Sequence, residues 1–179
     1  MSQAVVLQNS DPMVKSVYRR LNLGGPKATN VAIGTAIDLP FSPSEIWEVL
    51  QHLENWGRWG RPFHSGARWL EGRSFEVGSR FEQIRHLGFP IGKQVTVETV
   101  REVVPNQSVG WWDGNGGLRN AHLWAFEARP DGGTRVFNIE VLCGPLVVFA
   151  KPFLARRLSK RFRQSLEGLK KTLESKPKA

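Results

Sequence analysis

His122 opens the stretch HLWAFEARPDGGTRVFNIEV, residues 122–141, with Trp124 and Phe126 at alternate positions after it. An imidazole, with an ordinary pKa of about 6.5, can donate, accept or carry a proton near neutral pH. On an apolar face it is the side chain best suited to acid–base chemistry; the competing assignment is a structural histidine bonded to a backbone group. No carboxylate lies at a spacing that would orient the ring, so the sequence does not support a catalytic dyad. The other histidines, His52, His64 and His86, are scattered without metal-ligand spacing, and no metal is expected. Cys143 is the sole cysteine, so no internal disulfide can form; with no basic neighbour in sequence, it is expected to pack as a small hydrophobe. The glycines of LNLGGPK and DGNGGLR lack the spacing or the following helix of a phosphate cradle, and no GxSxG element occurs. No cofactor is expected.

These residues must be positioned by the elements around them. Val31 to Asp38 alternates as a strand. Ser42 followed by Pro43 and Glu45 is a capping box with proline in the first turn, so a helix begins there, and ENWGRW can form a second short one. Six further strands are expected at 68–71, 79–87, 93–104, 108–113, 120–128 and 135–143, separated by turn-forming Gly, Pro, Asn and Asp. From about Leu146 the period becomes helical, with Phe149, Phe153, Leu158, Phe162, Leu166, Leu169 and Leu173 on one stripe and Pro152 assigned to the first turn.

Strand alternation then sorts the side chains by face. The expected inner set is Phe81 and Gln83, then Val95, Val97 and Thr99, then Val109 and Trp111, then His122, Trp124 and Phe126, and last Phe137, Ile139 and Val141. Asn138 and Glu140 are assigned to the outside, as is Trp112, under the N-terminal extension. The inner set can make a solid core, since burying one large apolar side chain is worth about 1.5–3 kcal/mol. It can also line a cavity. Gln83, Thr99 and His122 share the face, and a few convergent polar groups on apolar walls are what small-molecule pockets present.

Seven Trp and ten Phe stand against one Tyr, a balance that favours dry, apolar surfaces. The first twelve residues lack the basic region and apolar length of a signal peptide, and no stretch approaches a bilayer span, so a cytoplasmic location is expected. The net charge of +9 divides into +3 over residues 1–30, −2 over 31–150 and +8 over 151–179. The presumed body is nearly neutral, and no nucleic-acid partner is expected.

The segments DLPFSPSEIWEVLQHLENWGRW, EVGSRFEQ, TVREVVPNQSVGW, FEARPDGGTRVFNIEV and SLEGLKKTL together resemble the SRPBCC group. This is the helix-grip or START-like superfamily of polyketide cyclase/dehydrase, lipid-transport-like and Bet v 1-like proteins. The resemblance implies an α+β fold over residues 31–174, in which a curved seven-stranded antiparallel sheet grips a long C-terminal helix, with two short helices after the first strand. Residues 1–30 form an extension, weakly structured or a short amphipathic helix through Met13, Val14, Val17 and Leu21, and 175–179 a tail. It also implies a cavity for a small hydrophobic ligand, of lipid, aromatic or polyketide type. Its expected lining is Phe81, Gln83, Val97, Thr99, Trp111, His122, Trp124, Phe126, Phe137, Ile139 and Phe153, with Trp59, Phe63 and Phe89 at the rim. Arg157 is expected to pair with a ligand carboxylate. Two alternatives accompany this expectation. One is an enzyme of cyclase or dehydratase type using the same cavity, with His122 as acid or base. The other is a module that contacts anionic membranes or acidic partners through Arg156, Arg157, Lys160, Arg161 and Arg163.

Overall fold

The computed structural model describes residues 5–7, 10–23, 30–72, 74–88, 92–113 and 119–176, with the backbone alone at 5–7, 87–88, 145–146 and 148–154. In chain order the elements are β1 (Val5–Leu7), α1 (Pro12–Arg20), β2 (Val31–Leu39), α2 (Pro43–Leu50), a 3-10 turn (Leu53–Asn55), α3 (Trp56–Trp59) and β3 (His64–Glu71). They continue as β4 (Arg80–Gly88), β5 (Gly92–Val104), β6 (Ser108–Asp113), β7 (Arg119–Ala128), β8 (Thr134–Cys143) and α4 (Pro145–Glu174). The strands form one antiparallel sheet in the order β1-β2-β8-β7-β6-β5-β4-β3. The seven strands expected from the sequence are present, and the extension adds β1 to the free edge of β2. Phe89 and the turns at 24–26 and 114–117 lie outside the described residues.

Local chemistry sets the helix starts. Ser42 accepts from Glu45 N while the Glu45 carboxylate accepts from Ser42 N at 2.8 Å, the reciprocal box read from the sequence. Asp11 caps α1 through Met13 N at 2.8 Å, ahead of Pro12 in the first turn. Pro145 holds the first-turn place in α4, so Pro152 falls inside the helix and not at its start. With no N–H to donate, it leaves one intrahelical bond unmade.

The inner face of the sheet is covered, and so is the outer face over β2, β8, β7 and β6. On the inner face, Leu166, Leu169 and Leu173 of α4 and Ile46, Val49 and Leu50 of α2 pack on Ile37, Val109, Trp124, Phe126 and Val136. On the outer face, Val14, Val17, Tyr18 and Leu21 of α1 lie on Ala32, Ala36, Ala121, Leu123, Ala125, Phe137, Ile139 and Val141. Small side chains let the helix approach: at Gly110 a Cβ would stand 2.6 Å from Leu21 Cδ2. Arg20 ties the end of α1 to the sheet through Glu102 at 2.5 Å and through Ser108. Trp112 is half-buried beside this cluster, on the side expected of it.

Two strand assignments are corrected. In β8 the register sets Val136 opposite Phe126, Asn138 opposite Trp124 and Glu140 opposite His122, so these three residues face inward. Phe137, Ile139 and Val141 face outward, beneath α1. In β5, Glu98 lies opposite Phe81 and is buried, which turns Val97 and Thr99 to the outer side, where Val95 is 54% exposed. In β8 the cause is α1, because the more hydrophobic phase is the inner one only when the other face is wet; in β5 the outer face stays partly wet, and Glu98 is held inside by Gln83, Thr96 and Arg85. Over β8, α1 makes the outer face apolar, and an ionic cluster makes part of the inner face polar.

Candidate functional site

The inner face divides into an aromatic half and a polar half. In the first, the rings of Trp56, Trp59, Phe75, Phe81, Trp111 and Trp124 meet one another, with centroids 5.4 Å apart for Trp56–Trp111, 5.3 Å for Phe81–Trp111 and 5.9 Å for Trp59–Trp124. These are ordinary packing distances for tilted and edge-on rings. Trp56 also donates to Leu50 O at 2.7 Å, which pins α3 to the end of α2. Phe126 meets the edge of Trp47 at 6.3 Å. Trp59, Phe81, Trp111, Trp124 and Phe126, expected as cavity wall or rim, therefore build core with each other. Phe63 is buried against Phe162 at 5.4 Å and not at a rim.

The polar half is drawn from six strands. Thr35 comes from β2, His64 from β3, Gln83 and Arg85 from β4, Glu98 from β5, Asn120 and His122 from β7, and Asn138 and Glu140 from β8, and all are buried. Arg85 Nη1 donates to Glu140 Oε1 at 2.9 Å, while its Nη2 lies 3.9 Å from Glu98 Oε1. Glu98 Oε1 also accepts from Gln83 Nε2 at 2.7 Å and from Thr96 Oγ1 at 2.8 Å. Asn120 Oδ1 accepts from Asp113 N at 3.2 Å, and the residue lies beside Glu140. His122 lies flat against Trp111 with centroids 4.9 Å apart, and its Nε2–H donates to Asn138 Oδ1 at 2.6 Å.

Burial dominates the proton affinities. It pushes the carboxyls of Glu98 and Glu140 above the ordinary range, with Arg85 partly opposing the rise in both. It lowers His122 to about 3, helped by the charge of Arg85 and opposed by the bond to Asn138. Burial also carries His64 well below its ordinary value, with His122 and Arg85 adding to the drop. Both imidazoles are neutral at pH 7, and one guanidinium serves two carboxyls that hold protons more tightly than usual.

A pH-dependence follows from His122. The unfolded ring binds a proton below about pH 6.5 that the folded site refuses until about pH 3. Its contribution is therefore complete above pH 6.5 and is lost as the pH falls through that window. Between pH 7 and pH 4 the wild type is expected to lose about 3 kcal/mol more stability than His122→Gln. Urea unfolding at both pH values measures this, and equal losses in the two proteins would contradict a neutral buried ring.

Nine buried side-chain atoms, all on the inner side, have no partner among the described residues. They are Thr35 Oγ1, Trp59 Nε1, His64 Nδ1, Gln83 Oε1, Arg85 Nε, Glu98 Oε2, Trp111 Nε1, Asn138 Nδ2 and Glu140 Oε2. Of the expected site residues, Gln83, Trp111 and His122 belong to this region, whereas Val97, Thr99, Phe137 and Ile139 are on the other face. The side chain of Phe153 lies outside the described residues. On α4, Arg157 and Arg161 are half-buried and Arg156, Lys160 and Arg163 exposed; among the described residues, the buried guanidinium is that of Arg85. Sequence reasoning missed Arg85, Glu98, Asn138 and Glu140. The signal for Arg85 was present, since it continues the phase of Phe81 and Gln83 by one step.

The family model described as polyketide cyclase / dehydrase and lipid transport matches residues 31–174. Among solved structures, TTHA0849 from Thermus thermophilus superposes with a TM-score of 0.65 at 13% identity, covering 82% of this chain and 97% of that one. The di-domain ARO/CYC BexL gives 0.67 at 14% identity, covering 88% of this chain and 53% of that one. Ara h 8.0201 gives 0.59 at 9% identity, covering 82% and 99%. At such identities the likeness is one of fold. No curated protein matches the sequence significantly. Among the described residues no helix is long and apolar enough to cross a membrane. With its helix-grip sheet and a family model matched from Val31 to Glu174, the chain belongs to the polyketide cyclase / dehydrase and lipid transport family.

Proposed function

We propose that this protein binds a small, largely apolar molecule, of lipid, aromatic or polyketide type, between the polar half of the inner face and α4. Seven of the nine unpartnered buried atoms lie in that polar half and carry the proposal. An unsatisfied buried polar group costs about 1–3 kcal/mol. Seven left bare would rival or exceed the whole stability of a domain, about 5–15 kcal/mol, so something meets them. A ligand with a polar head does so and gains its remaining affinity from apolar contact. Membership of a family described by polyketide cyclases and lipid transport supports that class of guest, as does the likeness of fold to an ARO/CYC protein.

The raised proton affinities of Glu98 and Glu140 favour a second use of the same place, as a cyclase or dehydratase. In that reading one of these carboxyls supplies the proton. His122, neutral at pH 7 and bonded to Asn138, orients the guest instead. Native mass spectrometry of freshly purified protein is expected to show a small molecule bound to the chain. Bare chain in every preparation, with no small molecule released on denaturation, overturns the proposal.

A further inference from the structure

The polar cluster is unbalanced in charge, and the imbalance defines what it accepts. The buried cation of this cluster is Arg85, and the buried acids it faces are Glu98 and Glu140. Arg85 reaches one oxygen of Glu140 at 2.9 Å and one of Glu98 at 3.9 Å. The second oxygens, Glu98 Oε2 and Glu140 Oε2, are both buried and unpartnered, as is the neighbouring acceptor Gln83 Oε1. Unpartnered donors stand on the same side, Arg85 Nε and Asn138 Nδ2 with the indoles of Trp59 and Trp111, so what sets the three acceptors apart is charge: one described cation faces two acids.

We propose that the ligand head taken here is a protonated amine, seated on the free oxygens of Glu98 and Glu140 with Gln83 beside them, and that the site prefers it to a carboxylate. The inference rests on the ligand-binding function proposed above and adds the chemical class of the guest. A primary ammonium brings three N–H donors and one positive charge. With Arg85 it places two cations against Glu98 and Glu140, so both carboxylates can be ionised without net charge between the four groups. A carboxylate head would instead meet two buried acids, and like charges brought together in an interface cost several kcal/mol. An uncharged alcohol supplies one donor and leaves the charge deficit standing.

The test uses the intact protein and three probes of one shape: naphthylmethylamine, naphthylmethanol and naphthoate, titrated by calorimetry at pH 7 and at two salt concentrations. The amine is expected to bind at least about tenfold more tightly than naphthoate, with the alcohol between them, a factor worth about 1.4 kcal/mol. In Glu98→Gln and in Glu140→Gln the amine is expected to weaken and naphthoate to gain. The order in the unaltered protein decides the matter even where a variant fails to fold. Naphthoate binding as tightly as the amine overturns the charge preference and leaves the ligand-binding function standing. No binding by any probe, together with bare chain in the mass spectrum, overturns both.

Discussion

Replacing Arg85 by methionine is expected to remove about 3–5 kcal/mol of stability at pH 7, the loss that follows when one partner of a buried ion pair is deleted. Methionine keeps the length and apolar volume of the stem but takes away the guanidinium donor that reaches Glu140 Oε1 at 2.9 Å and the charge 3.9 Å from Glu98. Two carboxyls would then lie buried with no described cation beside them. Both already hold their protons above the ordinary range because they are buried, and Arg85 is what lowers each of them. Removing it raises them further. A carboxyl whose folded pKa is raised contributes stability that is present below the unfolded pKa and lost as pH rises through the folded one. Arg85→Met is therefore expected to recover towards the wild type at pH 5 and to fall further behind at pH 8. Arg85→Lys, which keeps the charge and loses the fork, is expected to fall between the two. Urea-unfolding midpoints at the three pH values measure this; a variant within about 1 kcal/mol of wild type at pH 7 would show that Arg85 does not neutralise the cluster.

The second large effect is expected where α3 meets α4. Gly168 sits in the long helix with the backbone of Trp59 directly against it: a Cβ there would overlap the Trp59 carbonyl oxygen and lie 3.0 Å from the carbonyl carbon. Gly168→Ala would gain about 1 kcal/mol of helix propensity on an open helix surface. Here the obstacle is backbone, which cannot rotate aside as a side chain does, so α3 must move off α4. Overpacking of this kind costs typically about 1–3 kcal/mol and occasionally more, enough to exceed the propensity gain. We expect a net loss of about 2 kcal/mol in urea unfolding. A local signature accompanies it, because α3 also carries Trp56, whose ring packs 5.4 Å from Trp111, and Trp111 in turn supports the His122 ring at 4.9 Å. Near-ultraviolet circular dichroism should weaken in the folded variant. A Gly168→Ala protein as stable as the wild type, with unchanged aromatic dichroism, would mean that the two helices are not in backbone contact.

How far the site was legible follows from the strands themselves. His122, Trp124 and Phe126 were placed on the correct face because β7 alternates against small Ala121 and Ala125, which leaves one plausible inside. The same rule failed in β8, where Phe137, Ile139 and Val141 are the more apolar phase and yet lie outside, beneath Val14, Val17 and Tyr18. It failed again in β5, where a buried Glu98 carries the inner phase past exposed Val95. Hydrophobicity reports burial, and burial does not say under which helix. Arg85 was missed for a related reason: a lone arginine in a strand reads as solvated until its partners, 13 and 55 positions along the chain, are brought to it by the register.

From the sequence alone came the elements from β2 onward and their order. Capping at Ser42, turns at Pro-Asp-Gly-Gly and the change of period near Leu146 are local signals, decided within a few residues by backbone sterics and hydrogen bonding. The helix-grip fold followed, because one long apolar stripe and one half-apolar sheet have few ways to cover each other. Only the tertiary structure decided that the wall of rings is packed core, that α1 covers the outer face over β2, β8, β7 and β6, and that His64, Arg85, Glu98, His122 and Glu140 meet in one place. Those outcomes depend on charges and surfaces far apart in the chain. Their energies exist only once water has been excluded between them, and no local pattern records that event.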